Sequence, residues 1–319
     1  MKPLLKHKTK TLIGIAVVIL AILIGRTFHL DLAAPDLERK YATGASRFVE
    51  LSPVLRVHYR DEGPRQAPVL VLIHGTASSL HTFDDLTREL REEFRVIRFD
   101  LPGFGLTGPC DDDRCDYSPE EDAEFVRRLL QSLGILQPVA IAGNSLGGRI
   151  GWEFALRYPE QTSALVLIDA LGYDWPAKPM AITMARVPFV KYLQRYVTPY
   201  FLIRRSLHEV YGDDDLVSEE LIDRHFELLL REGNRAAFIA RVNHELDADG
   251  RRIKELRLPV LIAWGAADAW IPVDHARLFQ RDIPGARLVL YEGVGHVPHE
   301  EAPARVARDM ARFLRAAVR

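Results

Sequence analysis

The feature that most constrains this chain is the six-residue stretch 143–148, Gly-Asn-Ser-Leu-Gly-Gly. The apolar run just before it, 139–142, predicts a buried strand, and the residues after it predict a helix. Ser145 therefore stands on a sharp strand-to-helix turn, where we expect a strained backbone and glycines that let the two elements approach closely. The stretch fits G-x-S-x-G, the nucleophile elbow, which is a turn that exposes a nucleophilic serine. A simple glycine-rich turn is the alternative.

Two later strand-like runs end close to side chains that can assist such a serine. The apolar run 258–264 ends shortly before Asp268, and the run 287–291 ends shortly before His296. Open α/β sheets place their chemistry at the carboxyl ends of their strands. The order serine, aspartate, histidine therefore predicts a triad at one sheet edge, with His296 as the base and Asp268 as the acid that orients it. Asp169, at another strand end, is the alternative acid.

A strand-like run upstream, 69–73, ends in His-Gly and predicts a loop that stabilises a developing oxyanion. We expect the backbone N–H of Thr76 to be one donor, with Ala77 as the alternative, and that of Leu146 to be the other. Structural roles are expected for three further polar residues near strand ends: His74, Asp100 and His299.

Together these motifs, with the loop 100–105 and the pattern Gly-His-x-x-His-x-Glu-x-Pro at 295–303, resemble the α/β-hydrolase-fold superfamily of serine esterase and lipase type. The resemblance covers residues from about 46 to 319. It implies an α/β fold with a mostly parallel eight-stranded sheet, a helical cap inserted after strand 6, and no cofactor or metal. More narrowly, the chain is similar to membrane-anchored bacterial esterases and lysophospholipases of phospholipase A-like type.

The resemblance also narrows the chemistry. Dehalogenases and epoxide hydrolases of this fold carry Asp at the nucleophile position, where this chain has Ser145. Cofactor-free C–C bond hydrolases often share Gly-Asn-Ser-x-Gly-Gly, but they commonly have Trp after the catalytic His, where this chain has Val297. A carboxylic-ester hydrolase acting on lysophospholipids, phospholipids or acylglycerols is therefore the leading hypothesis. A C–C hydrolase of ring-fission products and a non-catalytic receptor remain alternatives.

The amino-terminal residues have a different composition from the rest of the chain. Four lysines within residues 1–10 precede an uncharged, largely apolar run from Thr11 to Gly25, which Arg26 closes. This pattern favours an uncleaved transmembrane anchor over residues 11–29, with a secretory signal as the alternative. Basic residues stay on the cytoplasmic side. We therefore expect a single-pass protein of the bacterial inner membrane with a periplasmic catalytic domain.

The remaining boundaries follow from composition and from the loss of strand–helix alternation. Residues 30–45 read as a polar linker, 46–171 and 257–319 as the two parts of the hydrolase core, and 172–256 as the cap, with helical stretches at 187–200 and 219–231. Met and aromatic side chains suit flexible acyl chains. Four cap residues are therefore expected to line a substrate cleft: Met180, Met184, Phe189 and Tyr192.

The two cysteines, Cys110 and Cys115, are expected to form a disulfide if the domain faces an oxidising compartment, with free thiols or a metal site as alternatives. Neither zinc-finger nor EF-hand spacing is present. The net charge of −2 gives no indication of nucleic-acid binding. No phosphate-binding glycine pattern follows the first strand. The expected partners are a lipid or small ester and a membrane, and a homodimer is left open.

Overall fold

The computed structural model describes residues 25, 27–110, 115–174, 178–243 and 250–317. Their centre is one eight-stranded sheet with the strand order β1-β2-β4-β3-β5-β6-β7-β8. β2 pairs antiparallel with both β1 and β4, and the other six strands, β3 to β8, pair in parallel, which confirms the predicted mostly parallel sheet. The strands are β1 (Ser46–Ser52), β2 (Leu55–Glu62), β3 (Val69–Ile73), β4 (Arg95–Phe99), β5 (Val139–Asn144), β6 (Thr162–Ile168), β7 (Val260–Gly265) and β8 (Arg287–Tyr291).

Both faces of the sheet are covered, as parallel strands require. In β3 every side chain is buried, and alternate residues enter two separate cores: Val71 packs on one face and Leu72 on the other. Helices α3 (Pro119–Ser132), α4 (Leu146–Arg157) and α10 (Asp274–Asp282) cover the first face, and α2 (Asp84–Leu90) and α11 (Pro303–Ala317) cover the second.

The alternation of strands and helices stops between β6 and β7, where the chain forms the cap. The cap contains α5 (Met180–Ala185), α6 (Val190–Leu193), α7 (Tyr200–Val210), α8 (Glu219–Leu229) and α9 (Asn234–Asn243). The helix expected over 187–200 is wrong in extent, because only α6 and the first residue of α7, Tyr200, are helical there. Pro188 and Pro199 flank this short helix, and a proline disfavours helix in the residue before it. Val197 instead forms an isolated β-bridge with Phe28.

The segment expected to be a polar linker, 30–45, is docked on the domain instead. It contains helix α1 (Ala34–Tyr41), whose Leu37 is buried against Leu106 and Leu228. Lys40 Nζ and the Tyr41 hydroxyl both donate hydrogen bonds to the Glu227 carboxylate, at 2.7 and 2.8 Å. One buried leucine and these polar contacts hold the helix in place, so the linker prediction is corrected.

The predicted anchor, 11–29, lies mostly outside the described residues, which begin at Gly25 and leave out Arg26. Its last part is described and runs as extended chain along the cap. The Thr27 carbonyl accepts a hydrogen bond from Thr198 N at 2.8 Å, and His29 N donates to the Tyr196 carbonyl at 3.1 Å. Among the residues that the structure describes, no helix has the length and apolar character needed to cross a bilayer.

The two cysteines are joined to each other. A disulfide links Cys110 to Cys115, with their Cα atoms 6.0 Å apart. It lies between β4 and α3, in the loop that leads to the N-terminus of α3. The Ser118 side chain caps that helix, since its hydroxyl accepts a hydrogen bond from Glu121 N at 3.1 Å, and Pro119 takes the first helical position.

Candidate active site

Ser145 occupies a strained turn between β5 and α4. Its backbone has φ 54° and ψ −115°, and residues other than glycine rarely adopt such a positive φ. Its N–H donates to the Ile168 carbonyl at 3.0 Å, which fixes the turn against the end of β6. Such strain persists only where the surrounding structure enforces it, and it clusters at functional sites.

The neighbouring glycines are needed for close packing. A Cβ built on Gly143 would lie 2.1 Å from the Gly147 carbonyl oxygen, and one on Gly147 would lie 2.0 Å from the Ile73 carbonyl oxygen. Both clashes are with backbone, which has little freedom to move. Larger residues at these positions would therefore separate α4 from the sheet and displace Ser145.

His296 and Asp268 form a buried pair. The Nδ1 atom of His296 donates to Asp268 Oδ2 at 2.7 Å. The other carboxylate oxygen of Asp268 accepts hydrogen bonds from Trp270 N at 2.7 Å and Ile271 N at 3.0 Å. Both side chains are nearly inaccessible to solvent. The carboxylate thus fixes the imidazole in the tautomer whose Nε2 can accept a proton.

Asp169, the alternative acid, is arranged differently. It is fully buried, and its Oδ1 accepts a hydrogen bond from Gly265 N at 2.9 Å. Burial, and then the nearby Asp268 carboxylate, raise the pKa of Asp169 well above its ordinary value. The histidine bonds to Asp268 and not to Asp169, although atoms of all three residues lie within 4.8 Å of one another. Asp169 therefore lies next to the Asp268–His296 pair without bonding to the histidine, and its raised pKa favours the neutral form.

Two residues support the site in ways that the sequence did not reveal. The side-chain amide of Asn144 donates to the carbonyl of His296 at 3.0 Å and to that of Ile168 at 3.2 Å, so it joins the elbow to the histidine loop. The Glu301 carboxylate accepts hydrogen bonds from Gly295 N and Gly212 N, both at 2.8 Å. The only sequence signals were their places inside the two motifs.

The loop after β3 lies directly against the elbow. A Cβ on Gly75 would be only 3.2 Å from the Ser145 Cβ. Within the described part of the chain, the backbone N–H groups of Thr76 and Leu146 donate to no protein acceptor. Both groups are therefore available to an oxyanion beside Ser145, which is the role predicted for them. Ala77, the alternative donor, has φ 56°.

His74 braces this loop. Its Nε2 accepts a hydrogen bond from Leu101 N at 3.0 Å, so its Nδ1 carries the proton and donates to the Gly75 carbonyl at 2.8 Å. Burial lowers the pKa of His74, which keeps the ring neutral.

His299 is also buried, and its Nε2 bonds to the Thr82 hydroxyl at 2.9 Å. The Asp100 carboxylate accepts hydrogen bonds from loop N–H groups and from His58.

The hydroxyl of Ser145 and the ring of His296 face the same cavity. In the part of the chain that the structure describes, these two side chains do not form a hydrogen bond with each other. Of the two hydrogen bonds expected within the triad, only the one between His296 and Asp268 is present. Catalytic hydrogen bonds are often long or poorly aligned without substrate and tighten when it binds.

The cavity has a volume of about 170 Å³, and its lining is mostly apolar. The core contributes Ser145, His296 and Thr76 at one end, and the cap contributes aliphatic and aromatic side chains above them. These cap residues include Ile182, Met184, Leu202, Ile203, Phe238 and Ile239. An apolar chain attached to a reacting carbonyl fits this arrangement.

Only one of the four cap residues expected in the cleft lies there. Met184 lines the cavity, whereas Met180, Phe189 and Tyr192 point to solvent and are 53%, 80% and 62% exposed. The reason is that α5 turns Ile182 and Met184 towards the cavity, whereas Met180 lies on its exposed side and no described residue of α6 lines the cavity. The prediction is therefore corrected for Met180, Phe189 and Tyr192.

A family model for the alpha/beta hydrolase family matches residues 70–309. The chain belongs to this family. It is 27% identical over 270 residues to Lipase 1 of Psychrobacter immobilis, covering 80% of this chain and 79% of that protein. It is also 29% identical over 277 residues to 2-hydroxy-6-oxononadienedioate/2-hydroxy-6-oxononatrienedioate hydrolase of Burkholderia vietnamiensis, covering 84% and 93%.

The fold is shared with solved structures. The crystal structure of a candidate lipase from Acinetobacter baumannii superposes with a TM-score of 0.75 and 26% identity, covering 91% of this chain and 98% of that one. Membership of this family identifies the chain as a hydrolase. Among the relatives, one is named as a lipase, which cleaves esters, and another as a hydrolase that cleaves a C–C bond.

Proposed function

We propose that the chain is a serine carboxylic-ester hydrolase that acts on lipid-like esters: lysophospholipids, phospholipids or acylglycerols. The observation that carries the proposal is the buried Asp268–His296 pair, which faces Ser145 across the floor of an apolar cavity. A lipase among the relatives adds support for ester chemistry.

In the proposed reaction the Ser145 oxygen attacks the ester carbonyl carbon while His296 Nε2 takes the hydroxyl proton. The tetrahedral oxyanion accepts hydrogen bonds from Thr76 N–H and Leu146 N–H at the positive end of α4. Collapse breaks the bond to the alkoxide, which receives the proton from His296. Water then attacks the acyl-serine by the same steps, which releases the carboxylic acid and restores Ser145.

We also propose that the anchor predicted over 11–29, without residues 27–29, which pack along the cap, holds the protein in the bacterial inner membrane, with the amino end in the cytoplasm and the catalytic domain in the periplasm. The support is the apolar run behind four lysines, together with the disulfide Cys110–Cys115. Disulfides persist in oxidising compartments such as the periplasm. Fractionation of cells, with protease added to spheroplasts, tests this orientation: a domain protected from protease would contradict it.

The catalytic proposal is tested with a fluorophosphonate probe and p-nitrophenyl butyrate. The wild-type chain should be labelled on Ser145, and Ser145→Ala should abolish labelling and lower kcat by about a million-fold. Incubation with a lipid extract, followed by mass analysis of the released fatty acids, identifies the natural ester class. Full esterase activity in Ser145→Ala would contradict the mechanism.

A C–C bond hydrolase of ring-fission products is the second candidate, because the relative from Burkholderia vietnamiensis carries that name and the elbow reads Gly-Asn-Ser-Leu-Gly-Gly. The same preparation assayed with a vinylogous diketone separates the two. Turnover of the diketone without turnover of any ester would favour the second candidate.

A further inference from the structure

The first part of the cap exposes an unusual number of large apolar side chains. Phe189 is 80% exposed, Tyr192 is 62% exposed and Tyr196 is 55% exposed. Monomeric soluble proteins rarely expose extended apolar patches unless the patch has a partner. We call this surface the roof face and define it by Phe28, Leu30, Met180, Val187, Phe189, Tyr192, Leu193 and Tyr196.

The segment that carries the roof face is apolar on its inner side as well. Ile182, Met184 and Leu202 belong to the same stretch of chain and line the cavity above Ser145. A cap that meets water on its outer side would place polar residues there, as amphipathic surface helices do. This segment therefore separates an apolar cavity from an apolar outer surface.

The roof face includes the point where the described chain emerges from its amino-terminal residues. Phe28 stacks on Tyr196 with ring centroids 6.3 Å apart, and Leu30 is 75% exposed beside them. The residues immediately before, up to Gly25, form the apolar run that follows the four lysines. The run proposed to enter a bilayer thus joins the domain on its exposed apolar surface and not on a polar one.

The charge of the same segment is one-sided. Between Asp174 and Glu209 the sequence contains six Lys or Arg residues and no Asp or Glu, although the whole chain has a net charge of −2. Two of these six, Arg204 and Arg205, pair with Glu219 and Glu209. Arg195, between two roof-face residues, is exposed. Aromatic and aliphatic side chains mixed with basic ones are typical of surfaces that lie in the interface of anionic membranes.

We propose that the roof face rests in the headgroup region of a bilayer that contains anionic phospholipid, with its apolar side chains at the acyl-chain boundary. This contact is additional to the anchor, and it places the cap, and the cavity beneath it, against the lipid. The inference rests on the proposed membrane location of the chain, but it does not depend on ester chemistry.

Two other occupants of the roof face are distinguishable by experiment: a second copy of the chain, or the chain's own residues 1–24 folded over it. A second copy would bring the basic residues of two caps together, which like charges oppose. A bilayer with anionic lipid satisfies both the apolar and the basic character of the surface. For this reason we favour the membrane.

The test uses the full chain reconstituted in vesicles of phosphatidylethanolamine and phosphatidylglycerol, with and without brominated acyl chains. Phe189→Trp places a reporter on the roof face. Leu136→Trp is the matched control, because Leu136 is 75% exposed and precedes the amino end of β5, whereas Ser145 follows its carboxyl end. Emission of the wild-type chain is subtracted to remove its four native tryptophans.

The added emission of Phe189→Trp should shift to the blue and be quenched by brominated lipid, more strongly in anionic than in zwitterionic vesicles. The added emission of Leu136→Trp should not be quenched. Equal quenching of the two reporters would overturn the inference, as would a chain that does not float with the vesicles. Blue-shifted emission that brominated lipid leaves unquenched would mean that protein covers the roof face, which also overturns it.

The same preparations separate this inference from the proposed function. Hydrolysis of p-nitrophenyl butyrate reports on the ester chemistry without requiring contact with lipid. Quenching without hydrolysis would support the membrane contact and contradict the esterase, whereas hydrolysis without quenching would do the reverse.

Discussion

The side-chain amide of Asn144 donates a hydrogen bond to the main-chain carbonyl of His296 at 3.0 Å. This bond joins the residue before the proposed nucleophile to the loop that carries the proposed base, although the two are 152 residues apart in sequence. The relative positions of Ser145 and His296 therefore depend on one buried amide as well as on the sheet.

Asn144→Ala should lower kcat by roughly 10- to 100-fold with little change in KM, because a misplaced catalytic group costs about that much. Steady-state kinetics with p-nitrophenyl butyrate measure the effect. Asn243→Ala is the matched control, since the Asn243 amide also donates to two carbonyls, each at 2.8 Å, but lies in the cap. An equal loss of kcat in both variants would show that general loosening, and not the link to His296, is responsible.

Replacement of the two neighbouring carboxyl groups by amides should affect kcat very differently. Asp268→Asn removes the acceptor that fixes the His296 tautomer, and kcat should fall by about 10⁴-fold. Asp169→Asn keeps an oxygen to accept from Gly265 N and replaces a group whose raised pKa favours its neutral form, so kcat should stay close to that of the wild type. The reverse order of effects would make Asp169 the catalytic acid.

The size of the cavity should set acyl-chain preference. Met184→Trp fills space above Ser145 and should lower the ratio of kcat/KM for p-nitrophenyl octanoate to that for the acetate by about tenfold. Met180→Trp, four residues away on the exposed side, is the control and should leave the ratio unchanged. If the Met180 change alters the ratio as much, the long acyl chain does not occupy the cavity described.

Buried His299 should make stability depend on pH. Burial, and then the nearby His296, lower its pKa from 6.5 to about 3. The unfolded chain therefore takes up a proton near pH 6.5 that the folded chain refuses until about pH 3. The stability linked to the neutral ring is present above pH 6.5 and is lost as the pH falls towards 3, by about 1.4 kcal/mol per pH unit.

His299→Gln removes this contribution while retaining a group that can bond to Thr82. Urea unfolding at several pH values between 7.5 and 4.5 should show that the difference in unfolding free energy between the wild type and the variant shrinks as the solution becomes more acidic. A constant difference would mean that His299 does not resist protonation in the fold.

The catalytic edge was predictable because its signals are local. The strained turn at Ser145 requires glycines at fixed positions, and apolar runs mark the strands whose ends place Asp268 and His296. The distances between these side chains were set by the strand order, which pairs β5 with β6 and β6 with β7.

The cap and the amino-terminal segment were less predictable for a physical reason. Helices α5 and α6 have six and four residues, too few to show a periodic inner face, so Met184 and Phe189 could not be told apart by pattern. Helix α1 carries one buried leucine among charged residues, and its docking depends on partners more than 180 residues away, such as Glu227. The bonds made by Asn144 are equally non-local.

Arg235 links the amino-terminal residues of the described chain to the cap, which covers the cavity above Ser145. Its guanidinium donates to the carbonyl of His29 at 2.8 Å and to the Asp31 carboxylate, and it also reaches the Thr198 hydroxyl at 3.2 Å. Residues 29–31 are thus hydrogen-bonded to the cap that covers the cavity, and these bonds do not involve the sheet beneath it. We therefore expect a displacement of the amino end to act on the cap before it acts on the triad.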